Sequence, residues 1–382
     1  MLKKFRVTNY KNFKAPLTLD FSKVSGYQFN TDCIDKHMIG KMLIYGRNST
    51  GKTNLGRAIY DITEILLTSP ILKAHKEFFL NADATSDYAR FEYAFQFDSD
   101  EVVYNYSRRE DTSLVEEEMF INGNRIFCCD FSTLQTDFSN LELVGAETVQ
   151  IDRYMDSLSP INEDESEAVE KLPFLRWLTN NAALPSDSVL LKMYSFIRRM
   201  RFATADSLNF MYYSPSHFYQ TLEEESSLKA FEEFLNVMGV ECKLSLEKLP
   251  DGKSQLYFMH TTPIPFSETA SSGTLALTTL YRRLKAIQGA SFVYLDEFDA
   301  FYHYEMSENV VRYIKFMCPN CQVIFTTHNT NLMSNHLMRP DCLFILSRSG
   351  SLTPLCEATR RELREGHNLE KMYISGEFEK YE

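Results

Sequence analysis

Residues 42–66, MLIYGRNSTGKTNLGRAIYDITEIL, leave few folds open to the chain that carries them. Met42–Tyr45 is an apolar run of strand length, and Leu55, Ile59, Ile62 and Leu66 then recur at helical spacing. Between them lies Gly46-x4-Gly51-Lys52-Thr53. The two glycines let successive backbone N–H groups turn inward, and the start of the following helix adds positive potential at the same point. A lysine and a hydroxyl at the helix start complete a cradle for phosphate oxygens, the Walker A pattern. Lys52 is expected to reach the β- and γ-phosphates and Thr53 to offer its hydroxyl to Mg²⁺. Gly46, Asn48, Ser49, Thr50, Gly51, Lys52, Thr53 and Asn54 are thus the expected nucleotide-binding residues.

A second stretch supplies what such a loop lacks. Phe292–Leu295 is an apolar strand ending in Asp296-Glu297. Carboxylates at the end of a buried strand are costly unless they serve a cation or a proton transfer. Beside a triphosphate, Asp296 would hold Mg²⁺, directly or through water, and Glu297 would polarise the attacking water as general base. Further on, QVIFTTHN sets His328 just past another apolar strand, where an imidazole can bond a γ-phosphate and register its loss. The expected chemistry is hydrolysis of ATP to ADP and phosphate, with ATP and Mg²⁺ as cofactors, Glu297 and His328 catalytic, and Thr53 and Asp296 on the metal.

The remainder reads as three parts: 1–149 and 246–382 as two portions of one nucleotide-binding head, and 150–245 as a helical lid or insertion. FRVTNYKNF and LTLDF alternate around Ala15-Pro16 as a first hairpin. RFEYAFQFD, VVYNYSR and EEMFINGNRIFCCDF continue as an antiparallel meander, with Asn122-Gly123 as a type I′ turn. LPFLRWLTNN, VLLKMYSFIRRM and SLKAFEEFLNVMGV carry helical spacing. In the last, Leu228, Phe231, Phe234, Leu235 and Met238 form one apolar stripe, read as core. The final third alternates helix and short apolar strand, the pattern of parallel strands with crossover helices. The fold class is therefore α/β: a P-loop NTPase head with an N-terminal antiparallel β subdomain and a helical insertion.

Composition excludes several classes. No run approaches the ~18 apolar residues of a membrane span, and MLKKFRVTNY lacks the apolar core of a signal peptide. Eight scattered cysteines read as reduced thiols of a cytoplasmic protein. Cys318-Pro319-Asn320-Cys321 has no second pair to complete a zinc site. The net charge is −12, from 40 basic and 52 acidic residues, the opposite of a surface built to coat duplex DNA. Nucleic acid is possible but not indicated by that charge. Arg198-Arg199-Met200-Arg201 and Arg282-Arg283 keep local footprints open against their reading as solvated helix faces.

With Walker A, Asp296-Glu297 and Thr326-Thr327-His328 in this order, ETASSGTLAL at 268–277 takes on meaning. Its Ser271-Ser272-Gly273-Thr274, ahead of a helix, resembles the signature motif of the ABC-type ATPase heads of SMC and RecF-like proteins. The opening FRVTNYKNFKAPLTLDF looks like their N-terminal strand pair, whose asparagine–aromatic–basic turn (Asn9, Tyr10, Lys11) approaches the nucleotide. The match is closer still to stand-alone bacterial AAA/ABC-type ATPases, relatives of the OLD-family ATPase domain and of the ATPase subunits of the Septu and PARIS phage-defence systems. There the signature reads like SSGT, a histidine-bearing stretch follows the carboxylates (Asp299-Ala300-Phe301-Tyr302-His303), and a tail like YISGEFE closes the chain. The resemblance covers residues 1–100 and 250–382. Two departures stand out: Ser272 where transporter-type signatures have their first glycine, and no clear Q-loop, with Gln135 and Gln150 as candidates.

The resemblance implies two heads facing each other, with ATP between the Walker A of one and Ser271, Ser272, Gly273 and Thr274 of the other. ATP would then act as an adhesive that hydrolysis removes. The sequence ends at Glu382 without the Toprim nuclease that follows the ATPase in OLD proteins, and no membrane domain is expected. The leading expectation is a homodimer or higher homo-oligomer that controls a separate effector, such as a nuclease, in anti-phage defence. A RecF-like DNA-repair ATPase and an ATP-held scaffold with incidental turnover are the alternatives.

Overall fold

The computed structural model describes residues 1–67, 77–158, 172–204, 215–300 and 303–382. Two large sheets face each other across one helix. The first sheet is antiparallel and has seven strands: β1 (Leu2–Thr8), β2 (Leu17–Asp20), β6 (Ala89–Phe97), β7 (Asp100–Arg108), β8 (Leu114–Ile121), β9 (Asn124–Asp130) and β10 (Gln135–Asp137). Their spatial order is β10-β9-β8-β7-β6-β1-β2. The expected hairpin is there, with Phe5 opposite Leu19, and so is the meander. Strict alternation decides which face is inward: Ala89, Phe91, Tyr93 and Phe95 of β6 are buried, while the residues between them are half-buried. Asn122 and Gly123 both have positive φ, 50° and 80°, the demand of the type I′ turn joining β8 to β9.

After the short ribbon of β3 (Ile34–Asp35) and β4 (Met38–Ile39), β5 (Lys41–Tyr45) enters the second sheet. That sheet adds β11 (Met200–Thr204), β15 (Phe292–Asp296), β16 (Gln322–Thr327), β17 (Leu343–Leu346) and β18 (Leu352–Pro354), ordered β11-β15-β16-β5-β17-β18. All pairs are parallel except the edge pair β17–β18. β5 is buried at every residue, as a strand covered on both faces must be. The carboxyl ends of β5, β16 and β15 lie side by side, the place where open parallel sheets bind ligands.

Helix α1 (Lys52–Leu66) lies between the sheets. The Tyr93 hydroxyl of the antiparallel sheet donates to Ala58 O at 2.9 Å, and the Tyr294 hydroxyl of the parallel sheet donates to Lys52 O at 2.5 Å. Gly56 explains how close the approach is: a Cβ there would stand 2.5 Å from Phe202 and 2.6 Å from Tyr294.

The middle segment supplies α2 (Ile151–Leu158), α3 (Phe174–Asn181), α4 (Val189–Arg198) and α5 (Glu225–Val237). The expected stripe is inward: Phe231, Phe234, Leu235 and Met238 are buried and Leu228 half-buried. The same segment also contributes β11, which the helical reading of VLLKMYSFIRRM missed. MRFAT is too short and too charged at its start to announce a strand. It is one because β15 offers an open edge, with Met200 opposite Phe292. A small sheet of β12 (Leu244–Lys248), β13 (Ser254–Phe258) and β14 (Ile264–Pro265) follows, so the 245/246 boundary falls inside β12. α6 (Ser272–Ala286) then packs on α5, with Tyr281 4.9 Å from Phe231 and 5.1 Å from Phe234 between ring centres. α7 (Tyr304–Met317) links β15 to β16. Among the described residues, no helix is long and apolar enough to cross a membrane.

Candidate nucleotide site

The loop after β5 is held from several directions. Gly51 has φ of 101° and caps α1, a conformation that a Cβ-bearing residue adopts only at a cost. A Cβ at Gly51 would also stand 2.2 Å from the Asn12 amide. Gly46 is equally confined, since its Cβ would stand 2.6 Å from the Thr50 hydroxyl. Lys52 is almost wholly buried, and its ammonium donates to Gly46 O at 2.7 Å and Arg47 O at 3.3 Å. Asn48 and Ser49 are exposed along the loop.

The carboxylates of the neighbouring strand meet this loop. The Thr53 hydroxyl donates to Asp296 Oδ2 at 2.6 Å, and the Thr326 hydroxyl donates to Oδ1 at 2.8 Å. Burial pushes the Asp296 carboxyl up, and the two hydroxyls offset only part of that rise. Glu297 takes φ of 48°, a strained value for a residue with a side chain, and its N–H is held by Thr326 Oγ1 at 2.8 Å. Its carboxylate stays about a third exposed and lies 3.6 Å from the Lys52 ammonium. A hydroxyl and a carboxylate, both hard oxygen donors at the foot of a phosphate loop, suit Mg²⁺, which takes few protein ligands and completes its shell with phosphate oxygens and water. Among the described residues no group of three His, Cys, Asp or Glu is arranged to hold a metal without such help.

One strand over, His328 is exposed directly after β16. The preceding Thr327 donates its hydroxyl to Asp299 Oδ2 at 2.7 Å. Asp299 opens the histidine-bearing stretch singled out in the sequence; Phe301 and Tyr302 of that stretch lie outside the described residues, and His303 caps α7.

Other expected residues stand elsewhere. Lys11 has its ammonium on Glu77 O at 2.9 Å, and Asn9 donates to Ser86 O and Tyr88 O. The residue of that turn that touches the phosphate loop is Asn12: its Nδ2 donates to Thr50 O at 3.0 Å and its Oδ1 accepts from Asn54 at 2.8 Å. In the sequence this asparagine is simply the eighth residue of the alternating run FRVTNYKNF. Arg47, also unanticipated, pairs with Glu382, and Tyr373 of the YISGEFE tail sets its ring 4.8 Å from that of Tyr45. Gln135 lies on β10, the outermost strand beyond β9, and Gln150 is exposed just before α2.

Ser271 caps α6, accepting the Thr274 N–H at 3.1 Å and sharing a 2.9 Å hydroxyl bond with Thr274. Ser271 and Ser272 are exposed, Gly273 is half-buried and Thr274 is buried. This end of α6 belongs to the layer of α5 and the small sheet. The structure does not bring it to the phosphate loop of its own chain through any hydrogen bond among the described residues.

A family model described as "AAA domain, putative AbiEii toxin, Type IV TA system" matches residues 41–334, from the first residue of β5 to just past His328. No curated protein matches the chain. Among solved structures, an SMC head bound to the C-winged helix domain of ScpA is similar, at 17% identity and a TM-score of 0.49, over 92% of this chain and 96% of that one. The SMC head domain from Thermotoga maritima gives 16% and 0.46, over 92% and 98%. An SMC head from Pyrococcus furiosus, with an extended coiled coil and bound to the C-terminal domain of ScpA, gives 18% and 0.45, over 92% and 95%.

Proposed function

Because the chain belongs to the AAA-domain family whose model spans residues 41–334, we propose that it is an ATPase that dimerises on ATP and controls a separate effector in anti-phage defence. The observation that carries the ATPase reading is the 2.6 Å hydrogen bond from the Thr53 hydroxyl to Asp296. It joins the phosphate loop to the carboxylate strand, two motifs 243 residues apart in the chain. The 3.6 Å separation of Glu297 from Lys52 supports a general base and a phosphate-binding lysine facing one substrate.

In the proposed mechanism Lys52 leaves the carbonyls of Gly46 and Arg47 and takes the β- and γ-phosphates, an exchange of neutral acceptors for charged ones. The N–H groups around Gly51 and the start of α1 hold the same phosphates. Thr53 and Asp296 would hold Mg²⁺, which would neutralise phosphate charge. Glu297, partly exposed and fixed in backbone by Thr326, orients the attacking water and accepts its proton. Ser271 and Ser272, exposed at a helix start, would meet the γ-phosphate of a second copy. The family description places the AAA domain in a "Type IV TA system", a toxin–antitoxin setting that supports action alongside a second protein.

The test is a pair of variants. Lys52→Ala should weaken ATP binding by about 100-fold, the loss of a charge-assisted contact worth ~3 kcal/mol. Glu297→Gln should bind ATP normally, lose turnover by about 100-fold or more, and run as a dimer in light scattering at micromolar concentration. A Glu297→Gln protein that stays monomeric with ATP would rule out the head-to-head arrangement. An Lys52→Ala protein that binds ATP unchanged would rule out the nucleotide site.

A further inference from the structure

Two consecutive threonines end β16, and each hydroxyl makes the same two bonds. Thr326 Oγ1 donates to Asp296 at 2.8 Å and accepts the Glu297 N–H at 2.8 Å. Thr327 Oγ1 donates to Asp299 at 2.7 Å and accepts the Asn329 N–H at 2.8 Å. The first set fixes the carboxylates at the end of β15. The second straddles His328: the residue after it is tied to the hydroxyl of the residue before it, and that hydroxyl to a carboxylate on the neighbouring loop.

Asp299 has more than this bond to explain it. It is only 6% exposed, and its second oxygen, Oδ1, is buried without a hydrogen bond of sound geometry, the Asn329 side chain being the other donor that bears on this carboxylate. A buried acceptor that is poorly paired costs stability, so the chain keeps this carboxylate against a penalty. Burial pushes the Asp299 carboxyl up, while Thr327, His328 and Asn329 pull it down. These are the groups that face it from β16 and the turn beyond. An imidazole that must present one nitrogen to a phosphate needs a partner on the other nitrogen to hold its ring plane.

We propose that Asp299 and Thr327 are the positioning pair of His328: Thr327 fixes the backbone on both sides of the histidine, and Asp299 Oδ1 accepts one ring N–H while the other meets the γ-phosphate. This rests on the reading of His328 as a phosphate-contacting residue. Neither Asp299 nor Thr327 touches the nucleotide. Their effect passes through the imidazole, so it belongs to the chemical step and not to ATP affinity.

The experiment is steady-state ATP hydrolysis with Mg²⁺ by Thr327→Val, Thr327→Ser and Asp299→Asn, each alone and on a His328→Ala background. Thr327→Val should lower kcat by about 10- to 100-fold, as for losing a group that orients a contact residue, with KM for ATP within about twofold. Thr327→Ser, which keeps the hydroxyl, should restore most of it. On the His328→Ala background neither Thr327→Val nor Asp299→Asn should add a further loss, because a group acting only through the imidazole has nothing left to act on. Where Thr327→Val does not fold, Asp299→Asn carries the test, since it preserves shape and still accepts the Thr327 hydroxyl. Full additive losses on the His328→Ala background would overturn the proposal, as would unchanged kcat in Asp299→Asn. If His328→Ala alone leaves kcat intact, the underlying reading of His328 fails, a result distinct from failed coupling.

Discussion

Glu117 shows how a single carboxylate can be placed by secondary structure and still remain uneasy. It is fully buried on β8 and accepts the N–H groups of Phe174 at 2.6 Å and Leu175 at 3.0 Å, the unsatisfied donors at the start of α3, and the Tyr104 hydroxyl at 2.9 Å. These bonds favour the ionised form, yet burial outweighs them and pushes the carboxyl up from 4.5 to about 7. The folded chain therefore keeps a proton that the unfolded chain has already released, so this group costs stability as pH rises from about 4.5 to about 7. Glu117→Gln should flatten that part of the stability curve. Urea titrations at pH 5 and pH 8 should show wild type losing on the order of 3 kcal/mol more than the variant between them. Equal losses would mean that Glu117 titrates in its ordinary range. Glu297 is uneasy differently: its φ of 48° is strain kept next to the phosphate loop.

Among elements, α1 matters most because both sheets grip it. Arg108 of β7 is wholly buried and pairs with Asp61 of α1, with Nε to Oδ2 at 2.9 Å; the Tyr106 hydroxyl reaches the same oxygen at 2.8 Å. Arg108 also lies 4.0 Å over the Phe79 ring. Taking two charges out of water cancels most of what their attraction gains, so the pair contributes little net stability and a great deal of registry. Removing one partner is another matter. Arg108→Met should cost ~3–5 kcal/mol by leaving Asp61 charged with only the Tyr106 hydroxyl on it, and Arg108→Met with Asp61→Leu should recover most of that loss in denaturant melts. If the double variant is no better than the single, the pair is not where the energy lies. The registry bears on function, since α1 begins with Lys52 and Thr53.

Over the whole molecule, the carboxyl ends of three adjacent parallel strands gather the phosphate loop, Asp296-Glu297 and Thr326-Thr327-His328, while Ser271 and Ser272 stand exposed at the start of α6 in another layer. In the proposed dimer that separation is the point, because the exposed serines serve the other copy's nucleotide. Ser271→Arg should accordingly bind ATP with unchanged affinity by calorimetry yet fail to dimerise in light scattering, even with Glu297→Gln. A Ser271→Arg protein that still dimerises would move the contact elsewhere. The net charge of −12 on each copy opposes that association at low salt.

The local signals of this sequence determined its local structure. The phosphate loop between strand and helix, the alternation of β6, the Asn122-Gly123 turn and the paired carboxylates ending β15 are patterns spanning a few residues, and short-range sterics and periodicity suffice to fix them. The tertiary structure decided what those patterns meet. Thr53 and Asp296 are 243 residues apart and Asn12 and Thr50 are 38 apart, and a hydrogen bond between such residues leaves no periodic trace in either segment. Asn12 read as part of an alternating strand, Met200 as the end of a helix, and Thr326-Thr327 as the tail of an apolar strand. Each took its role from a neighbour that chain folding brought alongside: an open strand edge for β11, a loop carbonyl for Asn12, and for the two threonines a pair of carboxylates that burial had left in need of donors.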